Sequence, residues 1–157
     1  METIDIVQHN ILLSCTSKQQ FSQEHFWGEH TLSILLSGEG RVYNNEETQI
    51  YTPGTIGFLK RNQLAKSIKI PSADGQPFKS IGIILDEESL KQYSTENEIV
   101  TKLPYTGKMM FQLNQNRFIT GFFDSLVPYF EQPEQLTKRL SEKKIVVQKI
   151  LFRFLQL

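Results

Sequence analysis

Hydrophobic and polar positions alternate in short runs through the first half of the chain, from Ile4 to about Leu85. Runs of this kind, rich in β-branched and aromatic residues and recurring about every ten residues, predict β-strands. Turn-forming pairs such as Asn44-Asn45 and Pro53-Gly54 separate them. The pattern therefore predicts antiparallel sheets closed into a sandwich or barrel. The main predicted strands are residues 11–15, 31–36, 41–43, 48–51, 55–59, 65–70 and 78–85.

The hydrophobic period changes from two to about 3.6 after Leu85, which indicates helices. Asp86 opens the first helical segment, because a carboxylate near a helix N-terminus accepts from free backbone amides. A second helix is expected from Asn114 or Asn116, and a third has Pro133 in its first turn. The second helix carries an apolar stripe at intervals of four, formed by Phe118, Phe122, Leu126 and Phe130.

The third helix presents a broad apolar face as far as the C-terminal residue of the sequence. Burying a large apolar side chain is worth roughly 1.5–3 kcal/mol relative to exposure, so a face of this size is expected to be covered. We expect a homodimer formed through this face, although the helix could pack on its own domain instead, and the two arrangements are compatible. The residues expected at the dimer interface are Leu140, Val147, Ile150, Leu151 and Phe154.

Composition narrows the class of protein. The 157 residues suit one domain, and 17 basic residues balance 17 acidic ones. A neutral chain lacks the positive charge typical of an independent nucleic-acid binder. The single Cys15 cannot form an internal disulfide, and no apolar run approaches the roughly 20 residues that span a bilayer. We therefore expect a soluble, cytoplasmic protein with no membrane partner.

The stretches around Gly38-Glu39-Gly40 and Pro53-Gly54 resemble the turns of a cupin barrel. The positions that are metal ligands in the metal-binding cupins are occupied in this chain by His25, Trp27, Thr31 and Ala65. One imidazole is too few, because transition-metal sites normally use three or four protein ligands. We therefore expect no metal, no other cofactor, no catalytic residues and no enzymatic activity.

A more specific resemblance extends over nearly the whole chain. The strand ending at residues 35–40, the hairpin through Asn44-Asn45, the stretch 51–62 and the strand 78–85 resemble the N-terminal regulatory domain of AraC-type bacterial transcription activators. Within that family, the sequence resembles members in which this domain dimerises and answers to a protein antagonist or a host-derived signal, such as the type III secretion activators. One departure is Thr55, where an acidic residue commonly follows the Pro-Gly pair.

This resemblance implies an α+β fold, with an antiparallel cupin or jelly-roll-like β barrel at residues 1–85 and a helical segment at 86–157 in the same structural unit. It also implies a domain that senses a small-molecule effector or a protein antagonist and that dimerises. DNA would be bound only through a C-terminal helix-turn-helix domain that this chain does not contain, so we expect a fragment of a longer protein. The alternative is a stand-alone non-metal cupin that binds a small molecule.

A barrel of this kind could hold an effector, because ligand pockets combine apolar walls with a few polar groups. The alternative is that the same side chains simply fill the barrel. Sugar binding has little support, since positions that are bulky in sugar-responsive relatives are here Ser37, Ser67, Ser80 and Gly82. The candidate ligand-binding residues are Phe26, Trp27, Ile34, Tyr43 and Phe58.

Overall fold

The computed structural model describes residues 3–22, 24–96, 108–113 and 117–142. Eleven strands lie in these ranges, namely β1 (Thr3–Gln8), β2 (Ile11–Thr16), β3 (Gln20–Phe21), β4 (His25–Trp27), β5 (His30–Ser37), β6 (Glu39–Tyr43), β7 (Thr48–Tyr51), β8 (Ile56–Leu59), β9 (Gln63–Ile70), β10 (Phe78–Leu85) and β11 (Met110–Leu113). Two α-helices, α1 (Glu87–Glu96) and α2 (Arg117–Asp124), accompany short 3-10 helices at Val127–Phe130 and Pro133–Gln135 and a helical turn at 138–142.

The strands form two antiparallel sheets. The larger sheet has the order β1-β2-β10-β5-β8-β11. The smaller sheet has the order β3-β9-β6-β7, with β4 paired beside β9. The predicted strands and the cupin-like α+β fold are thus confirmed. Within the described residues, however, the sheets face one another as separate layers and do not close into a continuous barrel.

Alternation along the larger sheet gives it two different faces. Large aliphatic side chains point away from the smaller sheet, and they pack against the helical segments of residues 117–142. This contact forms the hydrophobic core, which contains Ile11, Leu13, Leu32, Ile34, Ile56, Ile81, Ile83, Leu85, Ile119, Phe122, Phe123, Leu126 and Leu136. The strand faces turned toward the smaller sheet carry smaller and more polar residues, and this difference leaves space between the sheets.

The segment predicted to be helical also contains a strand. Residues Met110–Leu113 pair antiparallel with β8 and extend the larger sheet by one strand. Met110 is fully buried there. This strand was not predicted, because four residues are too few to establish a period and its pairing with β8 is a tertiary contact.

The apolar stripe predicted on the second helix is partly wrong. Phe118 is 65% exposed, whereas Ile119 and Phe123 are fully buried. An interval of four residues advances about 40° beyond one helical turn, so a stripe drawn at that interval drifts around the helix. The buried face of α2 instead combines intervals of three and four. Helix α2 ends at Asp124, and Pro128 lies in the following 3-10 helix.

Candidate ligand cavity

A cavity of about 380 Å³ lies between the two sheets. Its floor is a row of small residues on neighbouring strands of the larger sheet. In the strand register, Gly82 of β10 lies opposite Ser33 of β5, and Ser33 lies opposite Gly57 of β8. Leu12 of β2 ends this row on the other side of Gly82. Ser80 also lines the cavity, two residues before Gly82. Because these side chains are small, the inner face of the larger sheet is recessed at its centre.

The two glycines of this floor, Gly57 and Gly82, have different surroundings. A Cβ atom at Gly82 would come no closer than 3.6 Å to any neighbour, and its nearest contacts are Leu12 and Thr31 of the same sheet. A Cβ atom at Gly82 would therefore make only ordinary van der Waals contacts, without steric overlap. A Cβ atom at Gly57 would lie only 2.2 Å from Cε1 of Tyr51. Glycine at position 57 thus lets the Tyr51 ring pack directly against the backbone of β8.

The smaller sheet supplies the other wall of the cavity. Gly40, Val42, Ser67 and Tyr51 line it from β6, β9 and β7. The Ser67 side chain is fixed by Ser22, because their hydroxyl oxygens are 2.9 Å apart and the Ser67 N–H donates to Ser22 Oγ at 2.7 Å. These contacts hold the β3 end of the sheet beside the cavity.

Charged groups gather at one side of the cavity and pair with each other. The Lys69 amine donates to Asp5 Oδ1 at 3.0 Å and to Ser14 Oγ at 2.7 Å. The Ser14 hydroxyl in turn donates to Asp5 Oδ1 at 2.5 Å. Arg41, which also borders the cavity, donates from Nε to Glu39 at 2.6 Å. Each basic side chain at the cavity therefore already has a carboxylate partner.

Of the described groups that line the cavity, Tyr51 has the largest pKa shift. Burial, with a smaller contribution from the negative charge of Glu47, raises the pKa of Tyr51 to about 12. Both causes disfavour the phenolate. The phenol therefore stays protonated at neutral pH and can donate a hydrogen bond into the cavity.

The structure divides the five candidate ligand residues. Trp27 borders the cavity, and Ile34 both borders it and belongs to the hydrophobic core. Phe26 is 61% exposed, and Tyr43 is partly buried on β6 away from the cavity lining. Phe58 lies on the opposite face of the larger sheet, where it stacks with neighbouring rings at 5.0–5.5 Å. Ligand binding by these residues remains a prediction.

Sequence reasoning did not single out the residues that shape the cavity most. Tyr51 was missed because the pocket it needs is created by Gly57 on another strand. The signal for Ser33 was present, since alternation in β5 places it on the face opposite Leu32 and Ile34. Of the four small positions compared with sugar-responsive relatives, Ser67, Ser80 and Gly82 line the cavity, whereas Ser37 does not.

The positions compared with cupin metal ligands lie in the same region. His25 of β4 is directly opposite Ala65 of β9, and Ala65 is fully buried. Trp27 and Thr31 line the cavity. In the ranges that the structure describes, no three His, Cys, Asp or Glu side chains are grouped as metal ligands would be.

Of the expected dimer residues, the structure describes one. Leu140 is partly buried and packs against the hydrophobic core of its own domain. Val147, Ile150, Leu151 and Phe154 lie outside the described residues. Within those described, no helix is long and apolar enough to cross a membrane.

Comparison with known proteins agrees with this fold. The family model of the ExsA N-terminal regulatory domain matches residues 30–155. No curated protein matches the sequence. The chain therefore belongs to the ExsA N-terminal regulatory domain family, and it is a regulatory domain of the AraC type. The predicted resemblance is confirmed.

Solved structures of two AraC-like regulators share this fold at low sequence identity. The AraC-like transcriptional activator CuxR is 11% identical with a TM-score of 0.58, and the match covers 94% of this chain and 51% of that one. A variant of apo ToxT from Vibrio cholerae is 13% identical with a TM-score of 0.54, covering 88% and 52%. A cupin superfamily protein from Desulfitobacterium hafniense is 15% identical with a TM-score of 0.43, covering 54% and 76%. The chain thus spans about half the length of each AraC-like regulator.

Proposed function

We propose that this domain senses an effector through the cavity between its sheets and dimerises within an AraC-type transcription regulator. The main observation behind the proposal is the cavity itself, because the small residues Gly82 and Ser33 in its floor leave space that larger side chains would fill. Membership of a family of regulatory domains supports a sensing role. DNA binding would belong to a helix-turn-helix domain elsewhere in the regulator, which would act in the cytoplasm without enzymatic activity of its own.

The proposal is tested by fusing the chain to a DNA-binding domain that represses a reporter gene only as a dimer. The fusion should repress the reporter, and an ethyl acetate extract of spent culture medium should change the level of repression. Gly82→Val should abolish the response to the extract, because its methyl groups would occupy the cavity. Gly121→Ala is the matched control, since no neighbour lies within 4 Å of a Cβ atom at this exposed helical position.

Two outcomes would contradict the proposal in different ways. A fusion that represses no better than the DNA-binding domain alone would contradict dimerisation. Repression that the extract leaves unchanged would contradict effector sensing and would favour a response to a protein antagonist. An equal response from Gly82→Val and the unmodified fusion would show that the effector acts outside the cavity.

A further inference from the structure

The walls of the cavity are mainly apolar. Trp27, Tyr51 and Phe78 provide three aromatic rings, and Leu12, Leu35 and Leu59 provide aliphatic surface. Phe78 and Leu35 are almost fully buried within the fold. A volume of about 380 Å³ lies toward the lower end of the range of about 300–1,000 Å³ for ligand pockets. These features suit a small molecule with a largely apolar body.

The charges at the cavity do not favour a charged ligand. Lys69 is held by Asp5 and Ser14, and Arg41 is held by Glu39. A ligand carboxylate or phosphate would have to displace one of these acidic partners, which would leave that carboxylate without its cation. Removing a charge from water without a partner costs more than the removal of a neutral polar group. An uncharged ligand avoids this cost.

Several uncharged polar groups are available instead. Within the described residues, the hydroxyls of Ser33, Ser80 and Tyr51 have no hydrogen-bond partner. Gln20 also lines the cavity, and its buried Oε1 atom has no partner in the same part of the chain. Hydroxyl donors together with an amide acceptor suit a ligand oxygen that accepts one bond and donates another.

We propose that the effector is an uncharged, mainly apolar small molecule carrying a hydroxyl group that binds the Tyr51 hydroxyl. This inference rests on the proposed sensing function and names the chemical class of its ligand. Tyr51 is suited to the role because Gly57 fixes its ring, with Oη 2.9 Å from the Cβ position that glycine leaves vacant. Ser33, which lies opposite Gly57 in the strand register, provides a second hydroxyl beside it.

The test uses the full 157-residue chain and three probes, namely phenylbutanol, phenylbutanoate and glucose, with binding measured by isothermal titration calorimetry at neutral pH. The alcohol and the carboxylate share one apolar body and differ in charge, whereas glucose is neutral and polar. Phenylbutanol should bind at least tenfold more tightly than either of the others. Tyr51→Phe, which keeps the ring, should weaken its binding about threefold to tenfold through loss of one hydrogen bond.

Tyr129→Phe is the matched control, because Tyr129 lies in the 3-10 helix Val127–Phe130, packs against the hydrophobic core and does not line the cavity. Phenylbutanol should bind this variant as tightly as it binds the unmodified chain. Ser33→Ala provides a second cavity variant if Tyr51→Phe melts at a lower temperature. Tighter binding of phenylbutanoate or glucose, or no binding of phenylbutanol at millimolar concentration, would overturn the assigned ligand class. The reporter response to culture extract would remain a separate test of sensing itself.

Discussion

Gly38 occupies a position in the β5–β6 turn that other residues fit poorly. Its φ angle is +85°, in the region that side chains disfavour. A Cβ atom there would also lie 2.5 Å from the Ile70 carbonyl oxygen and 3.0 Å from the Phe78 Cα atom. Both neighbours are backbone atoms, so neither can move without disturbing the strand that carries it. The short turn thus depends on glycine for conformation and for space.

Gly38→Ala should therefore lower the free energy of unfolding by roughly 2–5 kcal/mol, as the sum of backbone strain and steric overlap. Gly75→Ala separates these two contributions. Gly75 has a similar φ angle of +89°, but it is exposed and nothing lies within 4 Å of its Cβ position. Gly75→Ala should therefore lower the free energy of unfolding by only about 1–2 kcal/mol. Urea unfolding measures both changes, and equal losses would contradict the steric argument.

At the scale of elements, His30 joins the start of β5 to the β8–β9 turn and helix α1. Its Nδ1 atom accepts a hydrogen bond from the Arg61 N–H at 3.1 Å, and its ring stacks on Phe58 at 5.5 Å. Arg61 then pairs with Glu87 in the first turn of α1 at 2.7 Å. Burial, followed by the positive charges of Arg61 and Lys60, lowers the pKa of His30. The contact therefore requires the neutral imidazole.

This arrangement predicts a pH-dependent stability. In the unfolded chain, His30 takes up a proton near the ordinary histidine pKa of about 6.5, which is above its pKa in the folded chain. The contribution of His30 to the free energy of unfolding is therefore fully present above about pH 6.5 and is lost as the pH falls toward the folded pKa. The free energy of unfolding should decrease between about pH 7 and about pH 5.5, above the range where most carboxylates titrate. His30→Asn keeps a hydrogen-bond acceptor but does not titrate in this pH range. The free energy of unfolding of this variant should therefore decrease less over the same range.

His9→Asn serves as the control for this prediction. His9 is exposed in the β1–β2 turn with a φ angle of +48°, a conformation that asparagine tolerates. This variant should keep the pH dependence of the unmodified chain in urea unfolding at several pH values. If His30→Asn shows the same slope as His9→Asn, the His30 contact does not control stability in this range.

The elements that could be predicted from the sequence are those whose hydrophobic pattern lies within the element itself. The run at residues 31–36 alternates clearly and forms most of β5, whereas Met110–Leu113 depends on its pairing with β8. The cavity was less predictable, because apolar residues occupy both faces of β8. Phe58 was expected to face a ligand, but it packs against the core while Gly57 and Leu59 face the cavity. The pairing of β8 with its neighbouring strands, and not its own sequence, decides which of its faces points into the cavity.

At the scale of the whole molecule, the proposed dimer concerns the last part of the chain. The described part of the last helical segment already packs on its own domain, since Leu136 is fully buried and Leu140 contacts the core. Large apolar residues continue at Val147 and Leu151. We expect two copies to contact each other through these residues, which follow the described helical segment in the sequence.

Val147→Asp combined with Leu151→Asp should therefore convert a dimer into a soluble monomer, because two unpaired carboxylates would be costly to bury in an apolar interface. Sedimentation equilibrium at tens of micromolar measures the change. Gln148→Asp introduces one negative charge at a neighbouring polar position and should leave the proposed dimer intact. An unmodified chain that is already monomeric under these conditions would contradict dimerisation through these residues.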